Sequence, residues 1–318
     1  MIAPRFSLTT PFLATVRRAS GICLALLAVA SVVGRAHAED FAKSYPIAQR
    51  AIVHIHTNDG SVRVTTTDAK QVEFHVEYEG LELNKTLRIE SAQQGDKVDL
   101  TARILGTWAM SWGTSRRLHI EVRMPKDGDL QIESGDGSVE ASSVSGDISV
   151  HTADGSIRAH DLSGTIDLRS GDGSITVQSL KGGVRLHTGD GAIQGSDLDG
   201  RYVADSGDGR IRLTGRFDAL NLKTGDGSID SLALPGSKMA AAWTIDTGSG
   251  SVDVAVPGDL QADLDVSTGD GSISFAFPVA VEGTVTKSQV RGKINGGGQS
   301  LSIHTGDGSI RVKQASPS

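Results

Sequence analysis

An aspartate returns at every eighteenth position through the middle of this chain, at Asp136, Asp154, Asp172, Asp190, Asp208 and Asp226. Each sits in a Ser/Thr-Gly-Asp-Gly corner or, at 152–155, in Thr-Ala-Asp-Gly. Evenly spaced carboxylates are what a calcium ladder needs, and calcium-binding β-rolls share this period, at about 18 residues per coil built from paired G-G-x-G-x-D halves. Here only one half of each repeat carries Asp-Gly; the other has Gly-Asp, Gly-Thr, Gly-Gly or Gly-Arg. Calcium takes six to eight oxygens, and one carboxylate per repeat supplies too few. The six aspartates are therefore calcium candidates set against a plainer reading as exposed turns. Stacked ~4.8 Å apart, neighbouring charges repel by only about 0.9 kcal/mol in water, which an exposed column tolerates. The expectation is no metal and no cofactor.

Other chemistry is sparser still. His54-Ile55-His56 places two imidazoles on one strand face, as a metal pair would. The repeat explains them more simply, because His56, His151, His187 and His304 all precede the corner by the same interval, where other repeats have Arg169, Asp205 and Lys223. That column reads as a solvated face. No carboxylate pair recurs with a basic partner as glycan cleavage requires, and no Ser-His-Asp set with a nucleophile elbow or phosphate loop is present. The aromatic concentration is GTWAMSWG, with Trp108, Met110 and Trp112 on one face. These three residues either plug the end of a core or form a docking patch for a protein or glycan partner.

The elements that position these residues follow from the columns. After the corner comes an aliphatic residue at Val139, Ile157, Ile175, Ile193, Ile211 and Ile229; five positions later come Val144, Leu162, Leu180 and Leu198, followed by Gly146, Gly164, Gly182 and Gly200. Pairs spaced by two close each repeat, as in Ile148/Val150, Ile166/Leu168 and Val184/Leu186. Alternation of period two predicts short strands with one buried face. A single-layer meander would leave that face uncovered, whereas a solenoid closes it on itself and requires matched columns. The predicted fold is all-β, a single-stranded parallel β-helix (β-solenoid) of about 18 residues per coil. In the corner, glycine is expected for its unusual backbone angles, and aspartate for local hydrogen bonding. Outward columns, such as Glu140, Arg158, Thr176, Gln194, Arg212 and Asp230, form neither a threonine array nor an aromatic ladder.

Residues 129–230 are expected to be the regular solenoid, 39–128 an irregular β region capping it, 231–313 less regular coils with inserted loops, and 314–318 a disordered tail. Residues 1–38 read as a signal peptide: Arg5, Arg17 and Arg18, an apolar run over Gly21–Val33, then Ala36-His37-Ala38. Cleavage after Ala38 would remove Cys23, the one cysteine, and four arginines, leaving 27 of 31 basic residues against 38 acidic ones and a net charge of −11. Such a balance argues against nucleic acid or anionic lipid surfaces as partners, and no further apolar run is long enough to span a membrane.

The repeated TGDGSI, the VRMPKDGDLQI stretch at Val122–Ile132 and the KINGGGQSLSIHTGDGSI stretch at Lys293–Ile310 resemble a bacterial family of domains of unknown function described as putative adhesins. The likeness covers nearly all of the chain after Ala38 and departs from the pattern at Ser249, where the corner aspartate is missing. It implies an extracytoplasmic β-solenoid and carries no catalytic residues. The expected function is a non-enzymatic, secreted or periplasmic envelope protein with adhesive or scaffold roles. The alternatives are a polysaccharide-acting β-helix enzyme and a calcium-stabilised roll.

Overall fold

The computed structural model describes residues 39–106, 116–281 and 286–315. Among these, 25 strands join one hydrogen-bonded sheet and no helix occurs. Most strands alternate buried aliphatics with outward polar residues, as in Ala51–Thr57, where Val53 and Ile55 are buried. Every aliphatic column identified above faces inward, and together the columns form one continuous apolar core.

The repeats are joined in two ladders. In one, Ser145–Thr152, Ser163–Ser170 and Lys181–Thr188 pair in parallel, with Ile148 beside Ile166 and Ile166 beside Val184. In the other, Val139–Ser142, Ile157–His160 and Ile175–Gln178 pair in parallel, with Val139, Ile157 and Ile175 aligned. Partners in both ladders are separated by one sequence repeat, so the sequence period and the pairing register coincide. Farther along, the two strands of a repeat fuse into Ile193–Ser206 and Ile211–Thr224, and the register slips between Gly195 and Leu198 and between Gly200 and Arg201.

At both ends the spatial order departs from chain order, which the repeat pattern does not foreshadow. Ala51–Thr57 lies between Lys97–Ile104 and Gly128–Ser134, with Val53 paired to both Val98 and Leu130. Ser61–Thr67 likewise separates Arg117–Pro125 from Val139–Ser142. At the other end, Gln299–Thr305 lies between Trp243–Thr247 and Ala262–Thr268. Ile310–Gln314 lies between Val252–Val256 and Ile273–Phe275. The uneven corner spacings after residue 230 therefore reflect a displaced repeat as well as loops. Gln314, expected in the tail, pairs with Val256. Antiparallel strands finish both ends: Glu39–Pro46 on Gln71–Glu79, Leu87–Gln94 on Lys97–Ile104, and Gln289–Ile294 on Ala262–Thr268. Each displaced repeat thus has partners on both sides, and among the described residues the open edges fall to the added antiparallel strands and to the short strand Ile273–Phe275, which pairs only with Ile310–Gln314.

Charge pairs mark the out-of-order neighbours. Arg50 reaches Asp129 at 2.6 Å, Arg63 reaches Glu140 at 3.0 Å, and Arg311 reaches Asp253 at 3.4 Å. A hydrogen bond from Arg50, with a second from the Asp147 N–H, holds the Asp129 carboxyl below its usual range against the opposing effect of burial. A carboxylate depressed in the folded state stabilises it above the unfolded titration point, and that contribution fades as pH falls through the folded one. Both side chains are largely hydrated, so Asp129→Asn should cost less than about 1 kcal/mol at pH 7. In urea melts at stepped pH, the gap to wild type should close below the carboxylate range.

Tyr202, Phe217 and Trp243 are buried in the core and meet edge to face at centroid distances of 5.6 and 6.2 Å. The Tyr202 hydroxyl donates to the Leu180 carbonyl at 2.6 Å, and burial pushes its phenol up. The Trp243 indole nitrogen and the Ser231 hydroxyl are buried with no hydrogen-bond partner among the described residues.

Candidate functional site

The corners are built from contacts that recur from repeat to repeat. The Ser or Thr before the corner is buried, at 0–8% exposure from Ser134 through Thr305. From Thr152 through Thr247 its hydroxyl accepts the N–H of the second corner glycine and donates to a glycine carbonyl of the neighbouring repeat, whereas Ser134 donates to Gly137 of its own corner. Thr188 accepts from Gly191 at 3.2 Å and donates to Gly173 at 2.9 Å. Ser170 does the same with Gly173 and Gly155, both at 2.9 Å. The chain of hydroxyls follows spatial rather than sequence order: Thr305 donates to Gly250 and Thr268 to Gly308, each at 2.8 Å.

The corner glycines are needed for a different reason than the one expected. Gly155, Gly173, Gly191, Gly209 and Gly227 do not adopt positive φ. A Cβ on any of them would instead overlap the carbonyl oxygen of the preceding corner glycine. Backbone touches backbone there, and only a residue without a side chain fits. In the regular repeats positive φ falls on the opposite corner, at Gly164, Gly182 and Gly200 with φ of 119–125°, and at Ser143, Asp161, Ser179 and Asp197 with φ of 55–64°; the early copy differs, with Gly60 of its Asp-Gly corner at φ 94°.

The six candidate aspartates are exposed and stand one strand spacing apart on the outside of these corners. Where the column breaks, the Ser249 hydroxyl donates to Asp226 at 3.0 Å. Among the described residues, no group of three or more His, Cys, Asp or Glu side chains is arranged to hold a metal ion. The corner closes through hydroxyl and amide groups, so its stability does not need an ion between carboxylates. A thermal melt followed by circular dichroism should be the same with calcium as with chelator. A shift of many degrees would instead mean an ion bound to the native state.

His54 and His56 are not a free pair. His54 lies 3.5 Å from Asp99. His56 has both ring nitrogens engaged: Arg103 donates to Nε2 at 2.8 Å, and Nδ1 faces Glu133 at 3.2 Å. Strand register extends the column into His56, Glu133, His151, Arg169, His187, Asp205, Lys223, Asp246 and His304. Glu133, Asp205 and Asp246 interrupt a column of bases, so a column that looks chemically inconsistent in the sequence is a mixed charge ladder in space. Glu133 and Asp246 escaped the sequence reading. The offset between His56 and Glu133 exceeds four repeats, and their contact is visible only once the displaced repeat is placed. On the other ladder the outward column runs Arg63, Glu140, Arg158, Thr176, Gln194, Arg212, Asp230, Asp253 and Arg311.

An open groove of about 670 Å³ lies on the first of these faces, lined by His56, Glu133, His151, Asp167 and Arg169 among others. Arg169 is clamped by Asp167 through two bonds of 2.8 and 2.7 Å. Trp108, Met110 and Trp112 lie outside the described residues.

A family model described as Toastrack DUF4097 matches residues 52–313. Among solved structures the chain is similar to a putative adhesin from Bacteroides fragilis, at 11% identity over 87% of this chain and 97% of that one, TM-score 0.41. It is similar also to a putative lipid binding protein from Parabacteroides distasonis, at 12% identity over 86% and 96%, TM-score 0.39. A third likeness is to a putative cell adhesion protein from Clostridium sporogenes, at 12% identity over 87% and 100%, TM-score 0.26. No curated protein matches the chain.

Proposed function

The chain belongs to the Toastrack DUF4097 family, and from that premise we propose that it is a non-enzymatic, exported cell-envelope protein working as an adhesive or scaffold surface. Its body is a single-stranded parallel β-helix of about 18 residues per coil, displaced in order at its two ends. The observation that carries this reading is the in-register pairing of outward residues over successive repeats, from His56 to His304 on one ladder and from Arg63 to Arg311 on the other. Such registry turns a short repeat into a long face with side chains at fixed spacing, which suits multivalent contact with an envelope or extracellular protein or glycan.

Export rests on residues 1–38, whose basic start, apolar run and Ala36-His37-Ala38 site fit a signal peptide cleaved after Ala38. Fractionation of the producing cell tests it directly. The expected result is protein in the periplasm or medium beginning at Glu39; an uncleaved cytoplasmic chain would end the proposal. Binding of the purified protein to envelope preparations and a glycan array tests the surface role. Hydrolysis of any arrayed glycan would favour the enzyme alternative.

A further inference from the structure

Every Asp-Gly step places a glycine amide nitrogen beside an aspartyl side chain whose carbon it can attack, with no Cβ on the glycine to shield it. Five corners hold that nitrogen away. The N–H groups of Gly155, Gly173, Gly191, Gly209 and Gly227 donate at 2.9–3.2 Å to the buried hydroxyl three residues earlier. The carboxylates of Asp154, Asp172, Asp190, Asp208 and Asp226 stay exposed on the outside. The first corner of the stack, at 57–60, is built differently. On its far side Gly60 meets Leu118, of the strand Arg117–Pro125, rather than a preceding glycine corner. With no such carbonyl to reach, the Thr57 hydroxyl donates to the Asp59 carbonyl at 2.5 Å. The Gly60 N–H then points at the exposed Asp59 carboxylate itself, 2.6 Å from Oδ1. The side-chain carbon lies one bond of ~1.2 Å beyond that oxygen, close to a near-attack separation. Among the described residues no other Asp-Gly step makes this contact. Asn295–Gly296, the one Asn-Gly step, has its side-chain amide tied to the Gly258 and Leu260 carbonyls at 2.8 Å each.

We propose that Asp59–Gly60 is a modification site, at which aspartate converts spontaneously to isoaspartate through a cyclic imide. The Gly60 nitrogen bonds to the Asp59 side-chain carbon, and the carboxyl C–O bond breaks. The departing oxygen leaves as water with the amide proton. Water then reopens the ring. Cleavage at the side-chain carbon restores aspartate, and cleavage at the main-chain carbonyl carbon gives isoaspartate, so one water is lost and one regained. The product carries an extra carbon in the main chain at a joint of the fold: the Gly135 and Asp136 N–H groups donate to the Thr57 and Asn58 carbonyls at 3.1 and 3.4 Å. The hydroxyl ladder thereby gains a second role, because each clamped glycine amide is also a protected one.

The test is prolonged incubation of the folded protein near neutral pH, followed by peptide mapping with isoaspartyl methyltransferase as the label. Isoaspartate at Asp59 should exceed that at each of the five clamped aspartates by about tenfold, the scale of first breaking a buried hydrogen bond. In urea the difference between corners should vanish. Asp59→Glu should clear the label from its peptide, since closure would then need a six-membered ring. Thr188→Val frees the Gly191 N–H, and label at Asp190 should rise about tenfold while Asp226 keeps its wild-type level. No isoaspartate at Asp59, or equal amounts at Asp59 and the clamped corners of the folded wild type, overturns the site. The wild-type comparison needs no variant to fold.

Discussion

Gly191→Ala is expected to destabilise the protein by about 3–5 kcal/mol, among the largest effects of any single methyl group added here. The new Cβ would sit 2.6 Å from the Gly173 carbonyl carbon and nearer still to its oxygen. Neither atom can yield by a rotamer change, because both are backbone held in the corner by the Thr188 hydroxyl. Relief requires two repeats to separate, which strains the strand pairs on either side. The smaller unfolded-state entropy of alanine returns only about 0.4–1 kcal/mol. Gly183→Ala supplies the contrast. Gly183 lies within the strand Lys181–Thr188 without positive φ, and among the described residues no atom outside its chain neighbours stands within 4 Å of its Cβ position. That substitution should be neutral or stabilise by about 0.5 kcal/mol. Urea titrations of the two variants settle the matter, and equal tolerance would mean that the corners do not touch.

Thr188→Val should cost about 2–3 kcal/mol although it keeps the shape of the side chain. The hydroxyl is fully buried and serves two backbone groups at once. Valine would leave the Gly191 N–H and the Gly173 carbonyl facing a methyl group, and an orphaned buried polar group costs about 1–3 kcal/mol. Thr188→Ser keeps the hydroxyl, as Ser170 and Ser206 already do in adjoining repeats, and should cost under about 1 kcal/mol. Hydrogen exchange at the Gly191 amide separates the mechanisms: faster exchange in the valine variant alone marks loss of the corner bond. Equal stabilities of the valine and serine variants would remove the hydroxyl ladder from the account.

The columns were legible in the sequence because parallel strands in register place like positions beside like. Val139, Ile157 and Ile175 had to share one environment, and they are buried beside one another. The reason for the corner glycines was not legible, since close backbone approach and positive φ both select glycine. Positive φ at Ser143, Asp161, Ser179 and Asp197 left still less trace, because those residues also fill ordinary turns. The displaced repeats were hidden by the uniformity of the pattern itself. AIVHIHTNDGSVRV alternates as any repeat does, and nothing local says that Arg63 will meet Glu140, more than four repeats farther along the chain. For the same reason the charge ladder through Glu133 and Asp246 could not be assembled from chain order.

Everything proposed for the outward faces depends on the order in which the repeats stack, and cross-linking reads that order. Asp246 and His304 are direct partners, while Ser267 lies on the far side of His304. Adjacent strands bring Cα atoms within disulfide range, and a two-strand separation of ~9.6 Å exceeds it. The variant D246C/H304C, in a chain whose one natural cysteine is Cys23, should oxidise to an intramolecular disulfide, and D246C/S267C should not. The opposite result would place the repeats in chain order, dissolve the His56–His304 ladder and contradict the account.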